Sequence, residues 1–141
     1  MIFHHVGYAV HSLESAWKSF FPFFITAFPC DQVVIDEKRN IEILFSQIPL
    51  GPLVELIAPH DKTKTSPVDG RLQKTGAGPY HFCYLVEDMQ KKAAFLQREK
   101  GALLVEDIAF APALNSEVMF LYLSGVGLIE LLEKKENLFF L

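Results

Sequence analysis

The chain of 141 residues has little of what several function classes require. It carries two cysteines, Cys30 and Cys83. That is too few for a disulfide framework and fits a reducing compartment. Basic residues do not predominate: 13 Lys and Arg stand against 17 Asp and Glu, a formal charge of −4. No Lys/Arg cluster supplies a local basic field, so nucleic-acid binding is not expected. Long apolar runs are missing too. The richest, "FFPFFITAF" at residues 20–28, holds a proline and is far too short to cross a bilayer. The opening "MIFHHVGYAV" lacks the charged start and cleavage site of a signal peptide. The expectation is a cytoplasmic protein without membrane or nucleic-acid partners. Half of the residues are apolar, enough to build a core within one domain, 1–141.

What is present is a sentence written twice. "FHHVGYAVHSLESA" (residues 3–16) and "YHFCYLVEDMQKKA" (80–93) align His5 with His81, Tyr8 with Tyr84 and Val10 with Val86. Each copy reads as a strand followed by a helix. Ser12 and Asp88 stand at the cap positions, and Gly101 stops the second helix near Lys100. Three strand-like runs follow each helix. They are 32–37, 40–46 and 52–58 in the first half, then "ALLVEDIAF", "SEVMFLYL" and "VGLIELLEK" in the second. Between the halves, residues 59–79 are polar and rich in glycine and proline, with a short helix expected to start at Ser66-Pro67. Module one spans 1–58, the linker 59–79 and module two 80–135, each module reading βαβββ. A duplicated module buries its apolar face against its copy. The expected fold is α+β, with two paired modules forming a cupped mixed sheet and helices outside.

The copies also repeat an oddity. Glu55 lies inside "LVELIA" and Glu130 inside "GLIELL", and their separation is one position less than that of His5 and His81. An ionised side chain in a buried strand costs several kcal/mol unless something compensates it, on the order of the penalty for an unpaired buried charge. Two imidazoles and two carboxylates brought together by a duplication suit a first-row divalent metal, which would neutralise both acids. Taken singly, each has a plainer reading: a satisfied strand histidine, or a glutamate facing water. Strand alternation puts His5, Gly7 and Ala9 on one face and Val6, Tyr8 and Val10 on the other, with His81, Cys83 and Leu85 repeating the first face. His4 and His11 read as exposed or as supports to the site, His60 as part of the polar linker, and Cys83 as a small apolar filler.

These motifs resemble the vicinal oxygen chelate superfamily of glyoxalase I, extradiol dioxygenases and methylmalonyl-CoA epimerase. "HHVGYAV", "VELIAPHD", "SPV…LQKTGAGPYHFCYLVEDM" and "GLIELLEK" are most similar to the epimerase branch. The resemblance implies metal ligands at His5, Glu55, His81 and Glu130. It implies a catalytic base at Glu42 and a second proton-handling role for Glu130. Flanked by Ile41 and Ile43, Glu42 is a carboxylate whose pKa desolvation would raise toward neutrality. The implied chemistry is proton abstraction next to a carbonyl on a divalent ion, with Co, Mn, Ni, Zn and Mg not distinguished. A lactoylglutathione lyase-like isomerase and a non-catalytic small-molecule binder are the alternatives, with an acyl-CoA or a glutathione adduct as the ligand. The apolar segments 19–28 and 137–141 lead to the expectation of a homodimer.

Overall fold

The computed structural model describes residues 1–20, 30–47 and 50–135. Eight strands and three α-helices follow one another along the chain: β1 (Ile2–Ala9), α1 (Leu13–Phe20), β2 (Val34–Asp36), β3 (Ile41–Gln47), β4 (Leu53–Pro59), α2 (Asp69–Thr75), β5 (Gly78–Val86), α3 (Met89–Lys100), β6 (Leu103–Ala111), β7 (Ser116–Leu123) and β8 (Gly127–Glu133). The α+β class and the twofold βαβββ order are those expected from the sequence, with α2 lying in the polar stretch between the copies. No helix among the described residues is long and apolar enough to cross a membrane.

The chain divides into two compact units, Val6–Tyr80 on the one hand and Met1–His5 with His81–Leu141 on the other. The division cuts β1, so the first strand contributes to both.

In the Val6–Tyr80 unit the strand order is β2-β3-β4-β1. β3 runs antiparallel to β4, pairing Glu42 with Ala58, Leu44 with Leu56 and Phe45 with Glu55. Leu44, Val54, Leu56 and Ala58 pack with Val10, Leu13, Ala16 and Trp17, so this face of the strands is covered by α1. Val6 and Tyr8 join the same cluster, as alternation along β1 predicts. Local chemistry fixes the helix ends. The Ser12 Oγ accepts from the Ser15 N–H at 3.3 Å, and Lys18 reaches back to Glu14 at 2.6 Å. Ahead of α2, Ser66 and Asp69 hold each other through two contacts of 2.8 Å. The helix begins three residues after the expected start.

The other unit runs β1-β5-β8-β7-β6. β5 and β8 are parallel, while β7 pairs antiparallel with both β8 and β6. This mixed sheet carries α3 on one face, where Met89, Ala93 and Leu96 pack on Val86, Met119, Leu121, Ile129 and Leu131. Asp88 caps the helix by accepting the Lys91 N–H at 2.9 Å. Gly101, at φ +64°, ends it in the left-handed conformation that glycine tolerates best. The opposite face of β5, β7 and β8 presents His81, Cys83, Phe120 and Glu130.

Candidate metal centre

Parity delivers these side chains. Tyr84, Val86, Ile129 and Leu131 turn toward α3, so the alternating positions His81, Cys83, Glu130 and Leu132 turn away from it. The parallel register sets Cys83 beside Glu130, and the antiparallel one sets Phe120 beside Glu130 from the other flank. β1 supplies His5, which belongs to the same unit.

His5, His81 and Glu130 are 0, 4 and 3% exposed, and their functional atoms converge. The Nε2 atoms of His5 and His81 are 3.2 Å apart. The Oε2 of Glu130 lies 3.2 Å from the first and 3.0 Å from the second. These three edges match a shared ion. Ligands at about 2.1 Å from a first-row cation are separated by about 3.0 Å at right angles and about 3.4 Å in a tetrahedron. The two Nε2 atoms are at hydrogen-bond distance from each other, but the carboxylate is less well served. Oε2 is buried at hydrogen-bond distance from both nitrogens, yet has no hydrogen-bond partner among the described residues. An unserved buried carboxylate oxygen is costly, and a divalent cation held by the two Nε2 atoms and Oε2 would relieve it. The residues present therefore fit such a metal.

Electrostatics keeps this acid ionised. Burial opposes the charged form of Glu130, but the adjacent His81 and then His5 outweigh it, and the carboxyl is held well below the usual range. The Phe120 ring meets the His81 imidazole edge to face, centroids 5.3 Å apart at 83°, and forms an apolar wall on that side.

His4, read from sequence as exposed or supporting, is half-buried with its Nδ1 2.8 Å from the Nδ1 of His5. Burial and the neighbouring His5 lower its pKa to about 4. Cys83, buried, brings its thiol within reach of both rings: its Sγ and one nitrogen of each lie within 4.8 Å of one another.

The other two residues named from sequence lie in the Val6–Tyr80 unit. Glu55, on β4, is 4% exposed and faces away from α1 together with Phe45 and Ile57. Glu42 differs. Its partner Ala58 belongs to the α1 face, so Glu42 and Glu55 project from opposite sides of the β3–β4 pair. The two therefore share no face of that pair. The expected desolvation of Glu42 also meets a different environment: its Oε2 lies 3.3 Å from the Nδ1 of His60, and both side chains are partly exposed. Sequence reasoning missed this pairing, although His60 follows β4 by one residue and Glu42 opens β3. Phe120 was also missed, since an aromatic in an apolar strand carries no mark of a site. His11 is exposed. Nearly all of the segments expected to form a dimer contact, 19–28 and 137–141, lies outside the described residues.

Comparison with known proteins bears on the family and the fold. The sequence matches the Glyoxalase/Bleomycin resistance protein/Dioxygenase superfamily over residues 4–120. Among solved structures, a methylmalonyl-CoA epimerase from Mycobacterium tuberculosis is similar with a TM-score of 0.74 and 26% identity, over 96% of this chain and 89% of that one. A hypothetical protein from Bacillus halodurans has a TM-score of 0.73 and 23% identity, over 96% and 95%. A variant methylmalonyl-CoA epimerase from Streptomyces coelicolor, in complex with 2-nitronate-propionyl-CoA, has a TM-score of 0.69 and 23% identity, over 95% and 97%. The last two likenesses are of fold. No curated protein matches the chain.

Proposed function

The chain belongs to the Glyoxalase/Bleomycin resistance protein/Dioxygenase superfamily, and from that premise we propose that it is a divalent-metal-dependent epimerase or isomerase that removes a proton next to a carbonyl. The observation that carries the proposal is the buried triangle of His5, His81 and Glu130, with edges of 3.0–3.2 Å and a carboxylate oxygen lacking a hydrogen-bond partner among the described residues. The similar fold of methylmalonyl-CoA epimerases supports a CoA thioester as the substrate class.

His5, His81 and Glu130 would hold the ion, and Glu55 is added as a fourth ligand on its sequence motif alone. When bound, the cation supplies Lewis-acid polarisation of a substrate carbonyl and so acidifies the neighbouring C–H. The protein's own groups do the rest. The imidazoles fix the cluster from two directions. Phe120 packs edge to face on the His81 ring. Glu130 would turn Oε2 toward the cluster, and the family resemblance offers its other carboxylate oxygen as the second proton-handling group, serving the face of the substrate carbon opposite the base. The assignment of Glu42 as base is supported by its strand context, and the α1-facing position counts against it.

The test is solvent deuterium incorporation into methylmalonyl-CoA by metal-stripped and metal-reconstituted protein, followed by mass spectrometry. Incorporation only after reconstitution, absent in a His81→Ala variant, is the expected result. A protein that holds its metal yet incorporates nothing loses the CoA assignment, and glutathione hemithioacetal becomes the next substrate to try. Failure to hold metal at all leaves the non-catalytic binder. A Glu42→Gln variant that exchanges normally removes Glu42 from the mechanism.

A further inference from the structure

The alternation of β1 breaks just where the site begins. The Phe3 ring contacts Phe82 and Tyr84 at centroid distances of 6.2 and 6.1 Å, and Tyr84 packs on the α3 side. Two residues later, His5 lies against His81 and Glu130 on the opposite side. A regular strand puts residues i and i+2 on one face, so the chain takes an irregular step between Phe3 and His5. That step sets His4 beside His5 instead of behind it, with the Nδ1 atoms 2.8 Å apart.

We propose that His4 is the positioning residue for His5: its Nδ1 accepts the His5 Nδ1–H and leaves the His5 Nε2 as a bare lone pair facing His81 and Glu130. Two imidazole nitrogens 2.8 Å apart share one proton, so one ring must donate and the other accept. If His4 donated, the His5 proton would sit on Nε2. It would point at the His81 Nε2 or the Glu130 Oε2, each 3.2 Å away, and that nitrogen could then not serve a cation. If His5 donates through Nδ1, its Nε2, one nitrogen of His81 and the Glu130 Oε2 can all serve one cation. A ligand imidazole is generally oriented by the partner of its other nitrogen. Here that partner is the adjacent residue in sequence, brought alongside by the break in the strand. The inference rests on the reading of His5 as a metal ligand.

The test uses the full chain, stripped of metal, with three proteins: wild type, His4→Leu, and His4→Asn, whose amide oxygen replaces the accepting Nδ1. Histidine ¹⁵N NMR of the metal-free proteins reads the His5 tautomer, and calorimetry with Co²⁺ alone reads affinity. The expected results are an Nδ1–H tautomer at His5 in wild type, a mixture in His4→Leu with Co²⁺ bound about 10–100-fold more weakly, and recovery of both in His4→Asn. A His4→Leu protein with wild-type tautomer and affinity overturns the proposal, as does an Asn variant no better than Leu. Two Co²⁺ per chain, falling to one in His4→Leu, overturns it as well and marks a second metal site on His4, His5 and Cys83. If wild type binds no Co²⁺ but loses its Nδ1–H tautomer on His4→Leu, positioning stands and the metal reading fails.

Discussion

Phe120 stands directly across from Glu130 on the neighbouring strand, and its ring meets the His81 imidazole edge to face at 5.3 Å. One aromatic side chain thus touches the surroundings of both an acid and a base of the cluster. Truncation by Phe120→Ala should cost about 2–3 kcal/mol of stability, less than a fully buried phenylalanine because the ring is partly accessible. It should also weaken metal binding, by releasing His81 from its wall. Thermal melts with and without added metal separate the two effects: a larger loss in the loaded protein is the expected signature.

Glu130→Gln keeps the shape of the side chain and removes its charge. Bound metal per chain should fall sharply under conditions where the wild type is saturated, since the carboxylate of the buried triangle no longer offsets the ion's charge. Elemental analysis after gel filtration checks this. Full occupancy in the variant would place the metal elsewhere.

Asn40 anchors the opening of β3. At φ +56° it adopts a conformation asparagine tolerates, and its amide donates to the carbonyls of Asp61, Lys64 and Thr65 while accepting the Asp61 N–H at 2.9 Å. Asn40→Ala should destabilise the protein by about 2–3 kcal/mol, from buried hydrogen bonds worth roughly 1 kcal/mol each plus backbone strain. Chemical denaturation measures it.

Acid should loosen the same loop. The Thr63 hydroxyl, at 2.6 Å, and then its N–H, at 2.9 Å, hold the Asp61 carboxyl below its ordinary value. A depressed carboxyl contributes stability that is present above its unfolded pKa, near 3.8, and is lost as pH falls through the lower folded value. Thr63→Val should therefore lower the melting temperature slightly near neutrality and have a shrinking effect toward strong acid. A variant difference that grows as pH drops would contradict the assignment.

Much of this architecture is legible in the residues themselves. Copying of the His-strand and Glu-strand motifs marks the βαβββ order, and caps such as Asp88 and Gly101 mark the ends of α3. His81 and Glu130 could be placed because both sit in strands that alternate regularly. Glu42 could not, because its face depends on the register between β3 and β4, which the sequence of either strand leaves open. His4 escaped for the opposite reason: regular alternation assigns it to the far side of β1, and only the irregular step beside Phe3 brings it to His5.

The cut through β1 has a consequence for the order of events during synthesis. Residues 1–5 leave the ribosome well before residues 81 onward, which complete their unit. His5 must wait for His81 and Glu130, so the cluster forms only after the whole Val6–Tyr80 unit has been made. A nascent chain halted before Tyr80 could complete the α1-covered core around Leu44 and Leu56 while lacking the partners that His5 needs. A truncated product would be folded in part but would lack the cluster.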